Sequence, residues 1–310
     1  MKCILCNKSD LEILCTISTI DLCSMYSLSF LLNISNEFNG LRKLDFILCN
    51  DCDLRFFFPS VTGSIGFYDA LSKIMDSRYY QENKLEYAFA ESFISNKDRV
   101  LDVGSGCGMF SSYVSGEYTG LDFNPAAVEQ AKRDGVRVLN ESVQAHAAKT
   151  SLPYTVVTAF QVLEHVSDPD RFIDSCLSIL LPGGLLILSV PSEDSFISLL
   201  ENAVINMPPH HISRWTDNCL INLQKLFNIK LVALEHQALE KIHFETFVEG
   251  VAHRIVRSVL HWNSTGLIDT SYKKKIINRV SRYLKPLVRK IYCTPALWPI
   301  GHSVTAVFRK

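Results

Sequence analysis

The feature that most limits the fold is an apolar run that breaks into closely spaced glycines, Val100-Leu101-Asp102-Val103-Gly104-Ser105-Gly106-Cys107-Gly108. A buried strand entering GxGxG brings backbone close to a ligand, because glycine tolerates positive φ and carries no Cβ. Short apolar runs then alternate with amphipathic stretches from 98 to 190, the pattern of βαβ units on a parallel sheet. Strands are expected over Val100–Val103, Tyr118–Phe123, Val136–Leu139, Tyr154–Gln161, Leu185–Val190 and Ile229–Leu234, with a last one over Ser303–Phe308. Asn124-Pro125 supplies an N-cap and a first helical residue, and Gly135 stops that helix. Residues 194–226 read as helices with a loop between them, and residues 240–295 as mainly helical.

Asp122 closes the second strand, where doubly wound sheets place a carboxylate that accepts hydrogen bonds from ribose hydroxyls. A dinucleotide site or a plain tight turn also suits the glycines. The spacing GxGxG rather than GxGxxG, with Asp102 two residues ahead, favours another ligand. A buried acid there holds the loop through backbone N–H groups or meets a cationic amino group. A dinucleotide site instead needs open helix N–H groups for pyrophosphate.

VLDVGSGCG, GLDFNP, AFQVLEHVSDP and LLPGGLLILSVPS, in that order across residues 98–192, resemble the successive motifs of class I S-adenosylmethionine-dependent methyltransferases. The resemblance implies a Rossmann-like α/β fold of seven strands, the last antiparallel and formed by residues 301–310. It places Gly104 and Gly106 against the methionine part of the cofactor, Asp122 on the ribose hydroxyls and Phe123 beside the adenine. It also places Glu141 near the adenine amino group and Gln161 near the methionine moiety. Asp102 joins this cofactor-binding set, and Tyr79, with Tyr80, belongs to a lid over it.

Cys3-x-x-Cys6 and Cys49-x-x-Cys52 are two chelating pairs, set far apart for a standard finger. Each CxxC turn sets two thiolates on one side, and two such turns complete a closed tetrahedral site of structural type for zinc. So short an N-terminal segment has a poor core of its own, and a metal staple is physically sensible. CxxC, CxxC, Phe56-Phe57-Phe58-Pro59 and Tyr79-Tyr80 resemble the start of methyltransferases that act in deoxysugar and surface-glycan pathways. Asp53 stands where that group commonly has Gly. Cys15 and Cys23 are read as buried thiols. The domain plan is a zinc-binding module over 1–60, a helical lid or linker over 61–97, and a cofactor-binding core over 98–239. A helical insert over 240–300 and the closing strand follow.

Methyl transfer needs an aligned nucleophile, exclusion of water and, for a hydroxyl, a base. Met207-Pro208-Pro209-His210-His211-Ile212-Ser213-Arg214-Trp215 follows the fifth strand, so it overhangs the carboxyl ends of the sheet where open α/β folds bind ligands. His210 and His211 are the candidate bases, with His165 as a third candidate. The loop resembles the acceptor region of the same sugar-methyltransferase group, and Arg214 suits a diphosphate. The expected acceptor is a small molecule, a nucleotide-linked sugar or surface-glycan precursor. The alternatives are a quinone or phenolic O-methyltransferase, favoured by an aromatic pocket without phosphate-binding arginines, and a non-catalytic binding module.

The formal charge of −1 argues against a nucleic-acid partner. No secretory signal or long uninterrupted apolar run is visible, so a reducing cytoplasm and ligated or buried thiols are expected. Lys273 to Lys290 contains eight Lys or Arg and no acid, with apolar residues at helical spacing. Such a stretch meets an anionic membrane surface or a lipid-linked glycan. The plainer expectation is a solvated face on a capping helix pair, with Pro286 kinking or ending a helix.

Overall fold

The computed structural model describes residues 1–75, 84–150, 152–262 and 266–310, so the tyrosine pair Tyr79-Tyr80 lies outside the described residues. The chain opens with β1 (Leu11–Ser18), α1 (Thr19–Phe30), β2 (Lys43–Cys49) and β3 (Arg55–Phe58). The helix α1, which the cysteine pattern did not suggest, starts at Ser18, whose side chain caps the Asp21 N–H. Two helices follow, α2 (Ile65–Met75) and α3 (Leu85–Glu91).

The core then runs β4 (Arg99–Val103), β5 (Glu117–Leu121), α4 (Pro125–Arg133), β6 (Val138–Leu139), α5 (Val143–Lys149) and β7 (Tyr154–Phe160). It continues with α6 (Pro169–Ser178), β8 (Leu180–Pro191), β9 (Ser213–Arg214), α7 (Asp217–Phe227) and β10 (Lys230–Ala238). Two twenty-residue helices, α8 (Lys241–Leu260) and α9 (Tyr272–Ile291), precede the last strand, β11 (Ile300–Arg309).

Seven of the described strands form one sheet in the order β10-β11-β8-β7-β4-β5-β6. The pairs from β8 through β6 are parallel, and β11 lies antiparallel between β8 and β10. This is the Rossmann-like order expected of a class I methyltransferase. Val100, Leu101 and Val103 of β4 are buried, as befits a parallel strand covered on both faces. Strand order reverses beside β4, so the ends of β4, β5 and β7 open on one crevice.

The second sheet has the order β1-β2-β3-β9. Its last strand comes from the core, not from the N-terminal segment. Arg55 and Phe56 pair with Arg214 and Ser213, and the Phe57 N–H donates to the Ile212 carbonyl at 2.9 Å. Cys3, Cys49, Cys52 and Phe56 share one buried cluster with Leu186, Trp215 and Leu220. The N-terminal segment is therefore packed into the core it precedes.

Three local expectations need correction. Residues 194–212 fold not as a helix but as short 3-10 turns at Phe196–Leu199 and Val204–Asn206, and α7 is the one helix of the 194–226 stretch. The physical reason lies in residue type: Asn202 and Asn206, with Pro208 and Pro209, offer the backbone turn conformations in place of a helix. Pro286 neither ends nor divides α9, which runs through it to Ile291. Cys15 and Cys23 are half-buried, not enclosed.

Candidate active site

A cavity of about 760 Å³ lies at the carboxyl ends of β4, β5 and β7. One wall is the glycine turn. Gly104 has φ +73°, and a Cβ there would collide with Val162, so only glycine lets the loop pass. Asp122 follows β5 and faces the cavity. Its Oδ2 accepts the Gly106 N–H at 2.7 Å and its Oδ1 accepts the Asn124 N–H at 2.7 Å. Asn124 in turn caps α4 with Pro125 at the first turn. Burial pushes the Asp122 carboxyl up, against the pull of these backbone donors. A carboxylate oxygen has room for more than one donor, so ribose hydroxyls fit here without displacing the backbone. Phe123, 66% exposed, extends the wall.

Asp102 occupies a different place from the one expected. It lies within the sheet, where it accepts the Thr158 hydroxyl at 2.8 Å and the Tyr118 hydroxyl at 2.9 Å, and it does not line the cavity. Those two bonds answer the desolvation of a buried acid. Burial still lifts its pKa to about 7. Glu141 lines the cavity, and its carboxylate meets His146 Nδ1 at 2.8 Å and Lys149 Nζ. Burial alone would raise its pKa, but Lys149 and His146 hold it below the usual range. Gln161, at φ +57°, lines the cavity beyond β7 and donates to the hydroxyls of Ser189 and Ser303 at 3.3 and 3.1 Å.

The opposite wall gathers three imidazoles. His165 stands in the 3-10 turn after β7, and His210 and His211 stand on the loop before β9. Their rings lie within 4.4 to 4.9 Å of one another, centre to centre. The loop is tied from both sides: the Gly63 N–H donates to the Pro209 carbonyl at 2.8 Å, and the Ile212 N–H to the Glu164 carbonyl at 2.8 Å. Each Nδ1 faces an oxygen: His165 the His210 carbonyl at 2.6 Å, His210 the Ile205 carbonyl at 2.8 Å, His211 Asn206 Oδ1 at 2.9 Å. That pattern assigns the proton to Nδ1 and makes Nε2 the basic atom of each ring. Burial lowers the pKa of His165 to about 4 and of His210 to about 3, and puts His211 well below its ordinary value.

Two groups on these walls were not among the expected site residues. Glu164 is almost wholly buried; one oxygen lies 3.8 Å from His165 Nε2 and 4.0 Å from His211 Nε2. The other has no hydrogen-bond partner among the described residues, and burial raises its pKa to about 8. The Glu-His pair after β7 was the available signal, but it reads equally as a helix-start charge. The second group is Glu240 and His243, around the start of α8, with His302 of β11, whose ligand-type atoms all lie within 4.8 Å. Glu-x-x-His at 240–243 was its only local trace. Arg214, expected to meet a diphosphate, is instead buried. It bonds the Asn206 carbonyl at 2.7 Å and Glu193 at 3.5 Å, and lies over Phe46 and Phe57.

The buried imidazoles and Glu164 make stability depend on pH in opposite senses. Unfolded histidines protonate near 6.5, whereas His165 resists to about 4. Their stabilisation is complete above pH 6.5 and is lost as pH falls toward 4. Glu164 keeps its proton to about 8 when folded but loses it near 4.5 when unfolded, so its contribution falls as pH rises from 4.5 to 8. Glu164→Gln should therefore gain melting temperature relative to wild type steadily between about pH 5 and 8. A difference that stays constant over that range in a thermal scan would contradict the assignment.

Away from the cavity, the four thiols of the N-terminal pairs converge. Cys3 and Cys52 Sγ are 3.6 Å apart, Cys6 and Cys49 Sγ 3.5 Å, and all four lie within 4.8 Å of one another. Zn–S bonds of ~2.3 Å in a tetrahedron put sulfurs ~3.8 Å apart, so the donor set fits zinc. Asp53, at φ +64° where glycine was the expectation, completes the turn after the second pair. Cys219 of α7, which no spacing pattern flagged, is buried in the same packed cluster as Cys3, Cys49 and Cys52.

Residues 75–234, half of the chain, match the family described as methyltransferase domain. The chain belongs to the family of class I S-adenosylmethionine-dependent methyltransferases. Among curated proteins, this methyltransferase is similar to the ubiquinone biosynthesis O-methyltransferase of Proteus mirabilis, with 35% identity over 124 residues, 36% of this chain and 51% of the relative. The enzyme of the same name from Salmonella enteritidis is 39% identical over 100 residues, 29% of this chain and 41% of the relative. The methyltransferase thus spans about half the length, or less, of these relatives. A solved S-adenosylmethionine-dependent methyltransferase from Archaeoglobus fulgidus superposes with a TM-score of 0.48 at 18% identity, covering 79% of this chain and 99% of that one. Among the described residues no helix is long and apolar enough to cross a membrane.

Proposed function

We propose that this methyltransferase acts on a hydroxyl group of a small phenolic or quinol-type acceptor, with an imidazole of the His165, His210 and His211 cluster as base. The observation that carries this reading is the charge of the cavity. Five carboxyl groups line it, Glu86, Asp122, Glu141, Glu164 and Glu240, against Lys84 as the one permanent cation among the described lining residues. Even with Glu164 protonated, acids outnumber that cation. Such a field welcomes a sulfonium and repels a diphosphate. Arg214, the guanidinium assigned to a nucleotide sugar, is engaged internally, which removes the main support for that acceptor. Tyr68, Tyr87, Phe160 and Phe172 supply aromatic surface for a ring-bearing molecule. The names of the curated relatives, which are O-methyltransferases, agree with a hydroxyl acceptor.

The cofactor supplies an activated methyl group. The glycine turn and Asp122 hold it, and the imidazole wall stands ready for the acceptor. The bound cofactor would supply the methyl group to the acceptor oxygen, and an Nε2 of the cluster would take up the hydroxyl proton. A ring must be neutral to take up a proton, and burial keeps these rings neutral at pH 7 while also weakening them as bases. The four N-terminal thiols hold a structural zinc on this reading, away from the chemistry.

A panel of catechols, quinols and nucleotide sugars, assayed with methyl-labelled cofactor, tests the acceptor. Label is expected on a phenolic oxygen, with transfer to nucleotide sugars at least about a hundredfold slower, the cost of placing an unmatched anion among carboxylates. Transfer confined to the nucleotide sugars would overturn the reading.

A further inference from the structure

The helix α9 carries more apolar surface to the outside than its neighbours need. Its inner face, Ile277, Ser281 and Val288, is buried against α8 and its surroundings. Its outward side carries apolar residues beside its cations. Tyr272 is 67% exposed, Ile276 39%, Val280 41%, Tyr283 79%, Leu287 56% and Ile291 54%. At 3.6 residues per turn these six positions fall within one sector of about 100°, and they run the length of a helix roughly 30 Å long. Lys290 and Lys273 stand at the two edges of that sector, so the stripe is apolar between basic margins.

The cations stand beside this stripe. Of the eight Lys and Arg in the helix, Lys274 pairs with Glu201, Lys285 with Glu249 and Arg289 with Glu245. Lys273 lies over the Trp262 ring. Lys275, Arg279, Arg282 and Lys290 make no ion pair among the described residues and are exposed. Lys275, Arg279 and Arg282 lie along one flank of the apolar sector, and α9 itself contains no acid to oppose them. Self-pairing of two copies about a two-fold axis would set these like charges against each other.

We infer that the outer face of α9 docks on an anionic membrane surface, the apolar stripe entering the headgroup boundary and the basic flank meeting lipid phosphates. The two exposed tyrosines suit that boundary, where one end of the ring is apolar and the other wet. Exposed apolar side chains and unneutralised cations on one helix face together match an interfacial helix, which lies in the membrane plane and does not span it. The inference does not depend on which acceptor the enzyme methylates.

Co-sedimentation of the full chain with vesicles tests it, using phosphatidylcholine alone and phosphatidylcholine with roughly one third phosphatidylglycerol, enough for a useful surface potential. Wild type is expected to partition at least about tenfold more onto the anionic vesicles and to be released by salt. Arg279→Glu with Arg282→Glu should lower that partitioning at least about tenfold, and Tyr283→Ser with Leu287→Ser should lower it on the same vesicles. Cofactor binding measured by calorimetry should be unchanged in both variants, which shows that they are folded. Equal partitioning of wild type onto neutral and anionic vesicles would overturn the inference. So would light scattering that shows a dimer broken by the Tyr283 and Leu287 changes while vesicle binding persists.

Discussion

Asp122→Ala is expected to weaken S-adenosylmethionine binding at least about a hundredfold, or roughly 3 kcal/mol. The carboxylate does two jobs at once. It fixes the turn by accepting the Gly106 and Asn124 N–H groups, both at 2.7 Å, and on the proposed reading its remaining lone pairs serve the ribose. Alanine leaves two backbone donors without their partner and removes the acceptor for the sugar hydroxyls. Hydrogen bonds to an ionised group contribute about 1.5–3 kcal/mol each, so losing two or more reaches this size. Asp122→Asn keeps the shape but turns one acceptor into a donor, and should fall between the two. Calorimetry with S-adenosylhomocysteine reads the effect without turnover. Binding within about threefold of wild type in the alanine variant would remove Asp122 from the cofactor site, since that corresponds to less than about 1 kcal/mol.

The second large effect is expected from the cysteines. Protein expressed with ample zinc should carry close to one equivalent, and Cys3→Ser with Cys52→Ser should abolish it. Structural zinc supplies about 10–16 kcal/mol of apparent binding energy in small domains, much of it folding energy. Here the loss should travel further than the cluster. The strand β3 pairs with β9, and the Phe57 N–H reaches Ile212, next to His211. Loosening the N-terminal sheet therefore frees one side of the loop that carries His210 and His211. The variant should melt at least about 10 °C lower, on the scale of several kcal/mol in a chain of this size, and turn over more slowly. Full-length protein without metal and with unchanged melting would contradict a zinc role.

The parts of this molecule that could be read in the sequence are those whose physics is local. The strand into Gly104, Asp122 at the end of the next strand and the Asn124-Pro125 helix start follow one another closely along the chain, and each sits in the structure where its spacing placed it. The two CxxC pairs were legible for the same reason, although their meeting across the chain was not a local property. What escaped was set by distant contacts. Arg214 looked like an anion-binding group, but its partners, Asn206, Glu193 and the Phe46 and Phe57 rings, come together only when β9 joins the small sheet. Asp102 looked like a loop anchor, yet its partners are hydroxyls on the neighbouring strands β5 and β7. Glu240 and His302 are separated by the whole of α8 and α9, so no window of sequence brings them to one wall.

On the proposed reading one wall of the cavity holds the cofactor and another handles the acceptor proton, and the two should be separable. The double variant His210→Ala, His211→Ala is the most direct test, with cofactor affinity and turnover measured on the same preparation. Affinity is expected to stay within about twofold, while turnover falls by about 10²–10⁴, the range for loss of a general base. Unaltered turnover, or a loss of cofactor binding equal to the loss of turnover, would contradict the division of the cavity into these two faces.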